Sequence, residues 1–203
     1  MAHDMLNAAT KRSLSADAAM GCDASGDLSE AVECDVWTWI ADFLTVPNDF
    51  YHGKFAPCPY ARGAVKDGAV DVVAWRSGNL RDFIRVQAED MRDASHLTTR
   101  VMVFPPRIQF TWGLSDYIES LNMALVSGDV FLNTGVAKET VSRYPNSKNA
   151  PYFIVVANSL DAVLKGADAL QRTRYYENWP SVHFDLVVER RAKFAARYGK
   201  KAE

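Results

Sequence analysis

Cys58 has the surroundings best suited to chemistry, in the stretch YHGKFAPCPYARG at residues 51–63. A Cys-Pro pair can place Cys58 at the N-cap and Pro59 at the first position of a short helix. The exposed N–H groups and the dipole of such a helix would lower the pKa of the thiol, and Arg62 would add positive charge. The pattern therefore predicts a reactive thiol or a metal or haem ligand. The alternative is a small buried hydrophobe at a rigid corner.

Two histidines are candidate bases for this thiol. His52 lies six residues before Cys58, and His183 lies at the start of the last predicted helix. Either imidazole could take the thiol proton if the fold brings it close. The alternative for each is a solvated histidine. We therefore predict Cys58, His52 and His183 as the catalytic residues. No HxxxH, HExxH or paired-cysteine spacing occurs, so we predict no metal site.

Polar residues in the loops next to predicted strands and helices are candidate contacts for an anionic substrate. Arg107 directly follows a predicted strand, where ligands of open α/β sheets collect, and its guanidinium could hold a carboxylate or phosphate. The long polar loop at residues 142–153 is a second candidate region, because long loops in compact domains are often functional. A solvent-exposed arginine is the alternative at each arginine. The predicted substrate-binding residues are Arg62, Arg107, Tyr60, Tyr144, Asn146 and Tyr152.

The C-terminal part of the chain adds aromatic and basic residues. Tyr175, Tyr176 and Trp179 could wall a planar ligand, although such clusters more often pack a corner between helices. The basic residues near the end predict a solvated helix face. They are Arg190, Arg191, Lys193, Arg197, Lys200 and Lys201. Arg191 also shares a helical face with Phe184, Val187, Val188, Phe194, Ala195 and Tyr198.

Hydrophobic periodicity predicts the elements that carry these residues. Runs rich in β-branched residues predict strands over residues 69–75, 98–104, 129–133 and 152–157. Apolar residues at helical spacing predict helices over residues 32–46, from Leu80 to about Asp93, from about Ser115, after Asn158 and Ser159, and from Ser181. The stretches Ser77-Gly78-Asn79 and Asn158-Ser159 are predicted to cap the helices that follow them.

Four strands with about five helices predict an α/β (α+β) fold. We expect a single-domain sandwich with a mixed sheet of about four strands, a ferredoxin-like variant. The helix between the first two strands implies that they are parallel with a right-handed crossover, and the short link before the fourth strand favours an antiparallel pair. The predicted organisation is a flexible arm over residues 1–30, one domain over 31–198 and a tail over 199–203.

The composition indicates a soluble globular protein. Hydrophobic residues make up 48% and charged residues 24%, and the net charge is −2, so we predict no nucleic-acid or membrane partner. No apolar run approaches the roughly 20 residues that span a bilayer, and residues 1–30 lack the apolar core of a secretory signal. The three cysteines, Cys22, Cys34 and Cys58, predict free thiols and a cytoplasmic location, because their number is small and odd.

The order of these features resembles a family of uncharacterised bacterial proteins with a Cys-Pro-Phe-Ala box. The matching parts are Cys58-Pro59-Tyr60-Ala61, the strand over 98–104, and Pro151-Tyr152 before FIVVANSLDAVL, within about residues 35–194. Tyr60 stands where the family has Phe, and the late loop differs in spacing. The resemblance implies one α/β domain and no assigned activity. The chain would then be a divergent, specialised member of that family, for example a tailoring enzyme of secondary metabolism.

We therefore expect an enzyme that acts on a small polar or anionic metabolite, with Cys58 as a reactive thiol or cofactor ligand. One alternative is a non-catalytic protein that binds a small ligand or haem through the aromatic cluster. Another is a structural partner in a complex, with the arm as its docking segment. The sequence identifies neither a cofactor nor an oligomeric state. Haem is the candidate cofactor.

Overall fold

A mixed four-stranded β-sheet with helices against both faces forms the centre of the protein. The computed structural model describes residues 28–105, 107–108, 111–135 and 152–198. The strands are β1 (Val70–Ala74), β2 (Thr99–Phe104), β3 (Val130–Gly135) and β4 (Phe153–Ser159).

Helices make up most of the remaining described residues. The α-helices are α1 (Leu28–Trp39), α2 (Ala61–Lys66), α3 (Leu80–Asp93), α4 (Leu114–Leu125), α5 (Leu160–Gln171), α6 (Ser181–Phe184) and α7 (Arg190–Tyr198). Two π-helical turns, Ile40–Leu44 and Asp185–Glu189, continue α1 and join α6 to α7. Short 3₁₀ turns lie at Asp49–Tyr51 and Val126–Gly128.

The strand order is β1-β2-β4-β3, and its directions confirm the predicted mixed sheet. β1 pairs with β2 in parallel, as the intervening helix predicted, and β4 is antiparallel to both β2 and β3. β2 and β3 are therefore parallel with β4 inserted between them, which is the split β-α-β arrangement found in ferredoxin-like sheets. The α+β class is confirmed, and the finer ferredoxin-like assignment stays a prediction.

Local sequence signals fix two of the helix starts. The Asn79 side chain accepts hydrogen bonds from the N–H groups of Arg81 and Asp82. The Ser159 hydroxyl accepts one from Ala162 N–H. Both N-caps therefore come from the stretches that the sequence predicted as caps, and each satisfies N–H groups that a helix start leaves without intrahelical partners.

Alternation along the strands divides the core between the two faces of the sheet. In β2, Val101 and Val103 pack with Val36 and Ile40 of the first helical segment. Met102 and Phe104 point to the other face and pack against α3 and α4. Because successive side chains of a strand point to opposite faces, this near-continuous apolar run is buried on both sides.

Polar side chains from helices hydrogen-bond to both edge strands of the sheet. The buried Asn122 amide accepts from Leu132 N–H at 2.6 Å and donates to Leu132 C=O at 3.0 Å, so it pairs with β3 as another strand would. The Glu33 carboxylate accepts from Ala74 N–H of β1 at 2.9 Å. These bonds satisfy edge groups that would otherwise stay open for pairing.

Several predicted bounds change. α1 begins at Leu28, inside the segment predicted as an arm, and β3 continues to Gly135, two residues beyond the predicted strand. Residues 1–27, 136–151 and 199–203 lie outside the described part, so the rest of the arm, most of the late loop and the tail do too.

The prediction of free thiols is wrong for Cys34, which is disulfide-bonded, whereas Cys58 is free.

Replacing Asn122 by Ala should destabilise the protein by about 2–4 kcal/mol, because it leaves a buried N–H and a buried C=O of Leu132 without partners. Urea unfolding measures the change. Met123→Ala, one residue along the same helix and at an exposed position, is the control and should stay within about 0.5 kcal/mol of wild type. Equal stabilities of the two variants would contradict a role for Asn122 at the sheet edge.

Candidate functional site

The Cys58 loop is tied to the end of the first helical segment. Cys58 N–H donates to Leu44 C=O at 3.0 Å, and Leu44 is the last residue of the first π-helical turn. The predicted substrate residue Arg62 donates through Nη2 to Thr45 C=O at 3.1 Å, so it holds the loop in place. The charge of Arg62 is not among the causes that shift the pKa of Cys58.

A second set of bonds joins this loop to the C-terminal half of the chain. The Tyr175 hydroxyl donates to Pro57 C=O at 2.5 Å. The Tyr60 hydroxyl donates to Gly166 C=O at 3.2 Å, and the Tyr60 ring lies over Gly166, where a Cβ would come within 2.9 Å of it. Tyr60 is therefore an anchor of the loop on α5, which a larger residue than glycine at 166 would disturb.

Cys58 opens a turn and not a helix. Ala61 N–H donates to Cys58 C=O at 3.0 Å, Pro59 occupies the second turn position, and Tyr60 has φ −88° and ψ −15°. These are the features of a type I turn. α2 begins at Ala61, so the prediction of Cys58 as its N-cap is wrong. The turn still directs the N–H groups of Ala61 and Tyr60 at the thiol.

Burial raises the pKa of the Cys58 thiol, and this effect exceeds the opposing ones. The N–H groups of Ala61 and Tyr60 and the positive charge of Arg191 lower the pKa, in that order of size. The sequence predicted a lowered pKa, and the structure gives the opposite direction. Cys58 is therefore a protonated thiol at neutral pH, held beside donors and a cation that would stabilise its thiolate.

Arg191 is a buried cation that the sequence placed wrongly. The sequence predicted it on a solvated basic face, but burial lowers its pKa, and its Nε is covered and has no hydrogen-bond partner among the described residues. Among the described residues, no carboxylate forms an ion pair with it, whereas its neighbour Arg190 pairs with Glu119. Its place in the apolar stripe with Phe184 and Phe194 was the signal that it points inward.

Tyr176 and His183 complete the surroundings of Arg191. Burial raises the pKa of Tyr176 to about 12, with the charge of Arg191 acting against it. Burial, followed by the charge of Arg191, lowers the pKa of His183. At neutral pH the phenol is therefore a hydrogen-bond donor and the imidazole is uncharged. We call Cys58, Tyr176, His183 and Arg191 the Arg191 cluster, because the charge of Arg191 acts on the other three.

Aromatic packing fixes the positions of these groups. The ring of Tyr176 lies 5.2 Å from that of Phe184 and 4.8 Å from that of Trp179, both edge to face. The His183 ring lies 4.5 Å from the Trp179 ring, and Tyr175 stacks on Tyr51 at 4.7 Å. These rings pack on one another, as in a corner between helices. They position the Arg191 cluster, and their mutual packing gives no support to a haem wall.

Both π-helical turns lie next to the Arg191 cluster. The first ends at Leu44, whose carbonyl holds Cys58, and the second separates His183 from Arg191. π-helical turns are rare in proteins and occur frequently at functional sites. Their position here is a second reason, besides the buried charge, to place a site at the Arg191 cluster.

His52 lies elsewhere. Its Nε2 is 3.4 Å from the Glu177 carboxylate, and its ring borders a cleft of about 220 Å³ shared with Lys54, Phe55 and Arg174. No hydrogen bond joins His52 to Cys58 within the described part of the chain. The charge of Arg191 therefore acts on His183, whereas His52 lies in another environment.

The other predicted substrate residues do not gather with Cys58. Tyr152 donates its hydroxyl to Asp35 at 2.8 Å, which joins the start of β4 to α1, and burial together with this bond raises its pKa. Arg107 is exposed on a short connection after β2. Tyr144 and Asn146 lie outside the described residues. Sequence reasoning missed Tyr176 and Arg191 as site residues, although both stood in segments that it singled out.

Comparisons with protein-family models, with curated proteins and with solved structures found no match to this chain. The resemblance to the Cys-Pro-Phe-Ala family therefore stays a prediction. Within the described residues, no group of three or more His, Cys, Asp or Glu side chains could hold a metal ion. None of the described helices has the length and apolar character that crossing a membrane requires.

The contact between Tyr60 and Gly166 predicts a coupling between two substitutions. Gly166→Ala should stabilise α5 by about 1 kcal/mol in the Tyr60→Ala background, because alanine favours a helix. In wild type this gain should be lost, because the new Cβ displaces the Tyr60 ring. A double-mutant cycle of urea unfolding measures the coupling. The same effect of Gly166→Ala in both backgrounds would show that Tyr60 does not pack there.

His183 predicts a loss of stability in acid. Because its pKa is lowered in the folded state, the unfolded chain takes up the proton first, and the free energy of unfolding falls as the pH drops through about 6.5 and below. His183→Gln should flatten the decrease between about pH 7 and pH 5. Urea unfolding across that range measures it, with His96→Gln at an exposed turn as the control. An unchanged decrease in His183→Gln would contradict the burial of this imidazole.

Proposed function

We propose that the protein is an enzyme that acts on a small anionic metabolite held by Arg191 beside the Cys58 thiol. The observation that carries the proposal is the partly buried Arg191, whose Nε is covered and which has no carboxylate partner among the described residues. A guanidinium stays charged at any pH that a folded protein experiences. A buried charge without a counter-charge is costly, so an anion at this position would recover free energy that the fold leaves unrecovered.

The groups around Arg191 supply complementary chemistry. The Tyr176 phenol can donate a hydrogen bond to the ligand, and the uncharged His183 imidazole can accept a proton. Cys58 is the nucleophile in this proposal. Its proton would pass to His183 as the thiol attacks, and the N–H groups of Tyr60 and Ala61 would stabilise the sulfur as it becomes negative.

Access to solvent supports a ligand site over a sealed core. Cys58, Tyr176, His183 and Arg191 each keep an intermediate exposure, although the Nε atom of Arg191 is fully covered. A tailoring reaction of secondary metabolism is the narrower version of the proposal, and it rests on the resemblance alone. The described residues identify no cofactor for this reaction.

The reaction of Cys58 with iodoacetamide tests the proposal. In the folded protein, Cys58 should be alkylated faster than the chain unfolds globally, because a substrate site must admit a small reagent. Arg191→Gln removes a charge that lowers the thiol pKa, so alkylation at pH 8 should slow severalfold and the pH–rate curve should shift to higher pH. Peptide mass spectrometry at Cys58 measures the rate.

Lys193→Gln is the matched control, since it removes an exposed positive charge from the same helix. Its pH–rate curve should coincide with that of wild type. Alkylation that occurs only at the rate of global unfolding, with no dependence on Arg191, would show that Cys58 is a structural thiol and would overturn the proposed function.

A further inference from the structure

We propose that the cleft lined by His52, Lys54, Phe55 and Arg174 binds a small aromatic carboxylate. The cleft has a volume of about 220 Å³ and combines two cations with the ring of a phenylalanine. The reaction proposed at Cys58 uses none of these four residues. The inference therefore adds a binding site to the proposed function, and it can stand or fail without that function.

Two segments that are far apart in the chain form the walls of the cleft. Asn178 Nδ2 donates to Phe50 C=O at 2.7 Å, and these residues are 128 positions apart. The Tyr175 ring stacks on the Tyr51 ring at 4.7 Å and meets the Phe55 ring edge to face at 5.8 Å. Because a hydrogen bond and ring packing hold the two segments together, the cleft is formed before any ligand arrives, as most small-molecule sites are.

Both cations of the cleft are exposed to solvent. Arg174 donates to the Glu177 carboxylate from Nε at 2.5 Å and from Nη2 at 2.9 Å, which leaves three of its five N–H donors for another acceptor. Lys54 forms no ion pair with a described residue, and Asp49, which lies near Gly53, is not among the residues that line the cleft. The cleft therefore presents one positive charge without a counter-charge in the described part of the chain.

The backbone of the cleft favours a carboxylate over a phosphate. The N–H groups of residues 52–55 all donate to carbonyl groups, namely those of Asn48, Asp49 and Tyr51. They therefore cannot form the concave nest of N–H groups that commonly holds a phosphate. Only the side chains are left to bind an anion, and the single unbalanced charge of Lys54 matches a monoanion.

The apolar part of the cleft favours a ligand with a ring. Phe55 is half-buried and borders the cleft, so part of its ring is open to a ligand. The His52 ring forms another wall, but its Nε2 is covered and lies 3.4 Å from Glu177, so we assign no bond to the carboxylate there. An apolar cavity of about 150 Å³ holds one benzene molecule, so this cleft has room for one ring and its carboxylate.

Nuclear magnetic resonance titrations of the full chain with benzoate test this inference. Benzoate should shift the amide resonances of Lys54 and Phe55 and the Nε resonance of Arg174, and the shifts should saturate. Benzyl alcohol keeps the ring without the charge, and acetate keeps the carboxylate without the ring. We expect benzoate to bind about tenfold more tightly than either, because the charge-assisted bonds and the ring contact each contribute.

Variants of the cleft identify the source of the affinity. Lys54→Gln and Arg174→Gln should each weaken benzoate severalfold and leave benzyl alcohol unchanged. Phe55→Leu should reduce the preference for benzoate over acetate. Arg172→Gln is the matched control, because it removes an exposed arginine two residues away that pairs with Asp168, and it should bind benzoate as wild type does. Circular dichroism establishes folding, and the exposed Lys54→Gln provides the test if Phe55→Leu does not fold.

Several results would overturn the inference. They are a benzoate titration that does not saturate, equal affinities for benzoate and acetate, and tighter binding of inorganic phosphate than of benzoate. Benzoate shifts confined to Cys58 and Arg191 would also overturn it, because the anion would then occupy the site of the proposed function. If benzoate binds in the cleft while Cys58 resists alkylation, this inference stands and the proposed function fails.

Discussion

The candidate site depends on contacts between distant parts of the chain, and the shortest of them is the bond that the Tyr175 hydroxyl donates to the Pro57 carbonyl. The two residues are 118 positions apart, and the bond is 2.5 Å long. It holds the turn at Cys58 against the segment that carries Tyr176, Trp179 and His183. Neither Cys58 nor Arg191 lies on a strand of the sheet, so their relative position depends on such contacts outside the sheet. The packed aromatic rings then fix the helical segment that ends in Arg191.

Polar groups at the edges and across the strands of the sheet have hydrogen-bond or ion-pair partners within the protein. Asn122 and Glu33 bond to the two edges of the sheet, and Arg100 pairs with Asp71 across β1 and β2 at 2.9 Å. The Nε of Arg191 is an exception, because it has no hydrogen-bond partner among the described residues although it belongs to a group that is always charged. Buried polar groups in native proteins are nearly always bonded, and an exception needs its own explanation. The anion proposed for this site would balance the charge.

Local patterns predicted the elements better than they predicted the site. Asn79 and Ser159 were recognisable as caps because a cap acts through its immediate neighbours, and the parallel pairing of β1 and β2 followed from the helix between them. Arg191 could not be placed in this way. Periodicity showed that it shares a face with apolar residues, but Cys58 and Tyr176, whose pKa values its charge affects, stand elsewhere in the sequence. Cys58 was misplaced as an N-cap because Cys-Pro fits a type I turn equally well.

The charge balance around Cys58 favours a reaction that begins only when the substrate is bound. Burial keeps the Cys58 thiol protonated, although the charge of Arg191 acts in the opposite direction. An anion on Arg191 cancels the charge that lowers the thiol pKa, so binding by itself would make the thiolate less stable. In the proposed reaction the proton must therefore leave during attack. Such a site would protect the thiol between turnovers, because the thiolate would form only when its electrophile is already in place.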